Sequence, residues 1–438
     1  MERKGPTKLV IKNNVVPSNP GVNQCCDHNE QVIRGNAQYP KKYDEKLLKD
    51  HPDPTIKQIM ELSTKLSNKE AIYKEYLNGL GSNGKSKRDA KQQEWLDWAL
   101  SLPYDKVVKY PVTREDTNLK RHEFLYDMRQ KLDSTVHGMA EPKEEIMLEV
   151  MKRMMSTENV GKILVLQGAP GVGKTFLCRS VSECVNIPFE SIALGSCKDS
   201  SLLNGHDYTY VGSHPGMIAR ALRKMGCSNG ILYLDELDKI GMTEKSKEVS
   251  STLLSILDET QNSDFKDNYL TDLSLDLSKL FVIASVNDES LIDPILRNRC
   301  KIIKLPDPTV QDKVEIVKNH FIPMYMKQYS IGEDEFEMDD ESIKYLMSKV
   351  QKEPGVRELK RAVEHILSRF NMLRMTHVEE KSTKKRKVDT SSSKKLVFSY
   401  SIPNFKLPMK LSSSIIDTFM STGIAKEEID HSVKRMYL

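Results

Sequence analysis

The chain has 438 residues, 38% hydrophobic and 29% charged, a length with room for about three domains. Its formal net charge of +4 does not by itself imply nucleic-acid binding, and no run approaches the roughly 20 apolar residues that span a bilayer. The seven cysteines are scattered, odd in number and without a Cys-x-x-Cys pair. That excludes zinc ribbons and disulfide scaffolds and points to a reducing compartment.

Residues 1–43 carry Asn, Pro, Gly and charge without apolar periodicity and are predicted to be a disordered tail. The start, Met1-Glu-Arg-Lys-Gly-Pro, has charge but no apolar stretch behind it, so a secreted protein is not expected. Residues 44–133 read as a helical segment. Ile56, Ile59, Met60, Leu62 and Leu66 recur near a 3.6-residue period. A flexible break at 79–86 precedes a helix over 87–102 that holds both tryptophans, Trp95 and Trp98, as core or interface anchors. Pro103 ends it. Further helices are predicted over 118–132 and 142–155.

Residues 163–166, Ile-Leu-Val-Leu, form a short apolar run that reads as a buried strand. It leads into Gly168-x-x-x-x-Gly173-Lys174-Thr175, a complete phosphate-binding loop. Within Gly168, Ala169, Pro170, Gly171, Val172 and Gly173, the glycines let the backbone curl so that N–H groups face phosphate oxygens. The helix from Lys174, through Thr175 and Phe176, offers its positive end to the same anion. Lys174 can reach the β and γ phosphates of ATP, and the Thr175 hydroxyl can hold Mg²⁺.

A strand is predicted over 189–194, and another at Ile231-Leu-Tyr-Leu234, from which Asp235 and Glu236 emerge. Ligands of open α/β sheets bind at such carboxyl ends. Asp235 would fix the Mg²⁺, directly or through water, and Glu236 would polarise the attacking water. Residues 280–287 form a further apolar strand ending in Asn287, whose amide can hydrogen-bond the γ-phosphate or that water. Arg297 and Arg299 follow closely. Arg299 reads as an arginine finger completing a neighbouring subunit's site, worth about 10³–10⁵ in rate in related NTPases, or as a surface ion pair. Alternating strands and helices over 134–308 imply a parallel sheet covered on both faces.

Residues 309–438 begin with helices predicted over 309–329, 340–350 and 355–375. A basic, serine-rich stretch near 379–395 reads as an exposed insertion. Within it, Lys384-Lys-Arg-Lys-Val388 is a nuclear localisation signal or a plain basic loop, leaving a cytoplasmic or nuclear location. A strand over 396–402 and a helix over 412–420 are predicted to complete this part.

Several stretches together resemble the ATPase module of the Lon proteases, within the AAA+ family. They are Trp95-Leu-Asp-Trp-Ala-Leu-Ser-Leu-Pro, Ser191-Ile-Ala-Leu-Gly-Ser, Gly205-His-Asp-Tyr-Thr-Tyr-Val-Gly-Ser-His-Pro-Gly216, Leu234-Asp-Glu-Leu-Asp-Lys-Ile-Gly241 and residues 291–306. The resemblance runs from about residue 95 to about residue 375. It implies an α/β fold, an AAA+ P-loop NTPase sheet with a small, mainly helical lid. It implies that Asn287 is sensor 1, Arg299 the arginine finger and Arg357 sensor 2, reaching phosphate from the lid. It also implies that residues 136–139, with His137 and Gly138, line the adenine pocket. The family usually has an aromatic before that glycine, where His137 stands here. Tyr210 and Val211 are implied to face a central pore, where a flat amphipathic side chain can grip any polypeptide backbone. Read without the family, Tyr208 and Tyr210 are strand or packing residues. Residues 241–248, with Lys245 and Lys247, are a second pore loop or a solvated turn.

In Lon proteases a peptidase domain with a serine–lysine dyad follows the lid. No such dyad is expected here: Ser412, Ser413, Ser414, Lys410, Lys426 and Lys434 lack a Gly-rich nucleophile motif around them. The sequence thus reads as an ATP- and Mg²⁺-dependent ring motor, a homo-hexamer acting on polypeptide substrates, without its own peptidase site. The alternatives are a partner delivering substrates to a separate peptidase, and a nucleic-acid-acting AAA+ ATPase, which no module of the sequence supports. No membrane association is expected.

Overall fold

The computed structural model of the protein describes residues 31–34, 37–40, 42–49, 51–80, 87–156, 163–197, 199–210, 212–240, 244–258, 260–376, 398–403 and 405–421. Residues 31–34 and 37–40 correct the expectation of a disordered tail to residue 43. Gln31–Arg34 and Ala37–Pro40 pair as an antiparallel hairpin. The Gly35-Asn36 dipeptide between them is a hairpin signal that tail-like composition masked, and Tyr73 Oη donates to Pro40 O at 2.9 Å.

Helices α1 (Pro54–Glu61), α2 (Leu66–Asn78), α3 (Ala90–Ser101), α4 (Asn118–Thr135) and α5 (Ala140–Met155) follow. Local chemistry fixes their ends. Asp89 caps α3 in a reciprocal capping box with Gln92, and Pro103 stands just past its C-terminus.

Five strands form one parallel sheet: β1 (Ile163–Gln167), β2 (Phe189–Ala193), β3 (Ile231–Asp235), β4 (Phe281–Val286) and β5 (Cys300–Lys304). Their order is β2-β3-β4-β1-β5, with Leu234 opposite Ala284 and Gln167 opposite Val286. Side chains alternate between the two faces, as strand geometry requires. Val165, Leu232, Leu234 and Ala284 pack with Leu48, Ile72, Trp95 and Leu96 of the N-terminal helices. Leu164, Leu166, Tyr233 and Ile283 pack with Met128, Leu132, Ile146 and Val150. The N-terminal helices thus cover the sheet rather than form a core of their own. Helices α6 (Lys174–Val185), α7 (Met217–Met225) and α8 (Glu244–Leu257) complete the layers.

The lid has a separate core that includes Val314, Leu346, Ile366, Phe370 and Phe419. Its helices are α9 (Val310–Ile316), α10 (Ile322–Gln328), α11 (Asp340–Lys349), α12 (Arg357–Thr376) and α13 (Ser413–Met420). The helix predicted over 309–329 runs through 310–328 with a π turn inside it at Val317–Phe321. Pro323 causes it: the ring has no N–H to bond the Asn319 carbonyl. The strand predicted over 396–402 is also corrected. Residues 398–402 carry a turn whose Phe398 and Tyr400 rings stack at 5.3 Å. The lid strand is Met409–Lys410, parallel to Phe336–Glu337. The basic stretch near 379–395 lies outside the described residues, and no described helix is long and apolar enough to cross a membrane.

Candidate functional site

The sheet order sets the carboxyl ends of β3, β4 and β1 side by side. β3 ends in Asp235 with Glu236 directly after it, β4 runs into Asn287, and β1 opens the loop 168–173 that enters α6. Gly171 and Gly173 have φ of +82° and +100°, which L side chains rarely adopt. The Lys174 ammonium is held by Gly168 O at 2.6 Å, Ala169 O at 3.2 Å and Asn287 Oδ1 at 2.8 Å. Burial lowers its pKa, while Asp238, Asp235 and Glu236 pull it back up. A cation resting on three neutral oxygens beside a helix N-terminus is poised to exchange them for an anion.

On the acidic side, Thr175 Oγ1 and Tyr233 Oη are 3.2 Å apart, and Tyr233 Oη donates to Asp235 Oδ1 at 3.3 Å. Burial pushes the Tyr233 phenol well up, so it stays a neutral hydroxyl. Ser285 Oγ also donates to Asp235, and accepts the Glu236 N–H at 3.0 Å. Glu236 has φ +60°, a left-handed conformation that costs a non-glycine residue on the order of 1 kcal/mol or more. Its carboxylate meets Lys239 Nζ at 2.5 Å, and the hydrogen bond raises the Lys239 pKa. A Cβ on Gly195 would come within 2.4 Å of Glu236 Oε2, so a side chain there would displace the Glu236 carboxylate. Asp238 is buried and accepts from the N–H groups of Asn287 at 2.9 Å and Asp288 at 3.2 Å, fixing the end of β4.

The donor set fits nucleotide with a hard divalent cation. Thr175 and Asp235 supply hydroxyl and carboxylate oxygens, the chemistry Mg²⁺ prefers, joined through one tyrosine hydroxyl. Tyr233, Ser285, Asp238, Lys239 and Gly195 had no separate role in the sequence reading. Tyr233 and Ser285 sit inside apolar strand runs, where pattern alone marks them as core. The Asp238-Lys239 pair directly after Asp235-Glu236 was the available signal.

The lid reaches this loop. Val356 N donates to Gly171 O at 3.2 Å, and a Cβ on Gly355 would lie 2.3 Å from Pro170 O. Arg357 follows at the start of α12, exposed beside Gly171. At 136–139 the backbone turns through left-handed Gly138 and Met139. Lys143, 1% exposed, holds Val136 O at 2.6 Å. His137 Nε2 lies 3.2 Å from Asp312 Oδ1 on α9, joining the body to the lid. Phe176 is exposed on α6.

Arg299 makes its contacts elsewhere: Asp258 Oδ2 at 2.7 Å and Ile295 O at 3.4 Å. Tyr210 is 68% exposed on the loop between Gly205 and Gly216. Val211, residues 241–243 and the side chains of 244–247 lie outside the described residues.

Residues 164–307 match the family described as ATPase family associated with various cellular activities (AAA). A Lon protease of Malacoplasma penetrans is 34% identical over 294 residues, covering 67% of this chain and 36% of that protein. Lon protease 2 of Bdellovibrio bacteriovorus is 35% identical over 318 residues, 71% of this chain and 38% of that protein. A Lon protease homolog of Acanthamoeba polyphaga mimivirus is 34% identical over 288 residues, 63% of this chain and 28% of that protein. The chain therefore spans between about a quarter and two fifths of the length of these relatives. With strands β2, β3, β4 and β5 inside the matched region and the Gly168–Thr175 loop near its start, the chain carries an AAA+ ATPase module related to the Lon proteases.

Proposed function

We propose that this module hydrolyses ATP with Mg²⁺ in a ring, a homo-hexamer, and uses the cycle to unfold or remodel polypeptides. The observation that carries the reading is the direct contact of Lys174 with Asn287, one strand away from Asp235 and Glu236. Lys174 would leave the Gly168 and Ala169 carbonyls for phosphate oxygens. Asn287, released from Lys174, would then face the γ-phosphate or the attacking water. Thr175 and Asp235 would hold Mg²⁺, which neutralises charge on the phosphates when bound. Glu236, paired with Lys239, would accept the proton of the attacking water. Arg357 would report the nucleotide to the lid, and Arg299 would act on a neighbouring subunit. Exposed Tyr210 would grip substrate.

Peptide cleavage by residues 410–421 is not part of this reading. A serine–lysine dyad needs a neutral lysine, yet Lys410 lies 3.3 Å from Asp339, and that hydrogen bond raises its pKa. Ser412 and Ser414 bond each other at 3.0 Å. Lys426 and Lys434 lie outside the described residues. The relatives are named proteases, which favours a second reading in which this ATPase serves a separate peptidase. We place the protein in the cytoplasm or nucleus. The test is ATP turnover with and without an unfolded protein, beside duplex DNA. Stimulation by unfolded protein supports the reading; stimulation by DNA alone, or no turnover, overturns it.

A further inference from the structure

The loop carrying Tyr210 is closed at its base by one buried carboxylate some fifty residues further along the chain. Asp267 is 0% exposed. Its Oδ2 accepts the Gly216 N–H at 2.8 Å, and its Oδ1 accepts the Tyr269 N–H at 2.9 Å. The opposite leg of the loop runs against the same carboxylate. Gly205, at φ +85°, has no room for a side chain: a Cβ there would lie 2.5 Å from Asp267 Oδ1. The neighbouring Asn268 completes the grip, with its backbone N–H on Asn204 O at 2.7 Å and its side-chain amide on Gly205 O at 3.1 Å. Across the legs, His206 N donates to His214 O at 3.2 Å. The tip is braced once more, by Lys91 Nζ on Tyr210 O at 2.8 Å.

Asp267 itself stands on fixed ground. It lies between the paired segments Phe265–Lys266 and Ser274–Leu275. Ser274 exchanges two hydrogen bonds, of 2.8 and 2.9 Å, with buried Asn68 on α2. The Tyr269 ring meets the Tyr208 ring edge-on at 5.4 Å. Burying a carboxylate is costly unless its oxygens are satisfied, and here backbone N–H groups from two segments satisfy them. A carboxylate accepts at both oxygens, which neither Asn nor a hydroxyl reproduces. Its geometric effect is to tie the leg at Gly216 to the hairpin, while the Tyr210 side chain stays exposed.

We propose that Asp267 is the positioning residue of the substrate-gripping loop, holding its base rigid so that movement of the body is passed to Tyr210 instead of being lost in loop motion. This rests on the reading of Tyr210 as the gripping residue. The test uses the full chain with Asp267→Asn, which keeps the shape but turns an N–H toward one of the two donors. The first readout is the number of ATP molecules hydrolysed per tagged substrate molecule unfolded. A fraction of misfolded protein lowers both rates equally and leaves that ratio alone, whereas a loosened loop base raises it by about tenfold, the factor set by one lost charge-assisted hydrogen bond. The second is chymotrypsin cleavage after Tyr208 and Tyr210, expected to rise by a similar factor with cleavage elsewhere unchanged. Asn268→Ala, on an exposed residue, removes only the bond to Gly205 O. It should move both readouts the same way by about threefold, which keeps the test open if Asp267→Asn folds poorly.

Tyr210→Ala is run in parallel. If it raises the ratio while both clamp variants leave ratio and cleavage pattern unchanged, the role of Asp267 is overturned and the gripping loop stands. If Tyr210→Ala leaves the ratio unchanged, both fall together.

Discussion

The Arg299 guanidinium lies 2.7 Å from the Asp258 carboxylate, just past the C-terminal end of α8. The arginine read as a finger for a neighbour is therefore held by its own chain. Hydrogen bonds from Thr260, and then from Arg299, keep Asp258 well below the usual carboxylate range. The pair is part exposed, and such pairs add little to stability. Arg299→Ala should then fold normally yet lose ATPase activity by about 10³-fold or more if the finger acts in trans. Mixing Arg299→Ala with Glu236→Gln subunits should restore part of the turnover, because some interfaces then carry both groups intact. No recovery in confirmed mixed rings would leave Arg299 as a surface ion pair.

Lys174 and Glu236 should separate binding from chemistry. Lys174→Ala removes the ammonium proposed to face phosphate in the ground state and should abolish nucleotide binding. Glu236→Gln should still bind and fail to hydrolyse, since its proposed role is on the attacking water. Titration with a fluorescent ATP analogue, with phosphate release alongside, distinguishes them. Normal hydrolysis by Glu236→Gln would remove that residue from the reaction.

Tyr233→Phe tests the hydroxyl that joins Thr175 to Asp235. Groups that orient metal ligands typically cost about 10–100-fold in metal affinity or activity when lost. The Mg²⁺ concentration giving half-maximal ATPase should rise by about tenfold, at about 1 kcal/mol in stability. An unchanged Mg²⁺ requirement would mean the hydroxyl serves packing alone.

Asp267 gives a pH signature with a definite sign. Burial pushes its carboxyl from 3.8 up to about 6, against the pull of the Gly216, Tyr269 and Leu270 N–H groups and of Arg220 on α7. A pKa raised by folding adds stability that is fully present below about 3.8 and lost as pH rises through about 6. Between pH 7 and pH 4, the stability of the parent relative to Asp267→Asn should shift by up to about 3 kcal/mol in the parent's favour. Urea denaturation of both proteins at several pH values measures this. A pH-independent difference would show that the carboxyl titrates normally.

The phosphate loop, the acidic pair and the apolar strands were legible in the sequence because each is local. Gly168 to Thr175 is one turn between a strand and a helix, and Asp235-Glu236 directly follows four apolar residues. Their meeting in one site followed from the rule that ligands bind at the carboxyl ends of parallel strands, and from the resemblance to a family. Physically it depends on β4 lying between β3 and β1, an order no periodicity encodes. Other features were decided by contacts across the fold. Tyr233 and Ser285 look like core until β3 pairs with β4 and their hydroxyls converge on Asp235. The partner of Arg299 lies 41 residues away, and that of the Gly216 N–H 51 residues away. Residues 398–402 became a turn because Phe398 and Tyr400 pack on the lid, leaving Met409–Lys410 to pair with Phe336–Glu337. Hydrophobic period and turn chemistry act over a few residues and can be read along the chain. Which buried polar group satisfies which distant backbone depends on how the elements stack, and only the tertiary structure decides that.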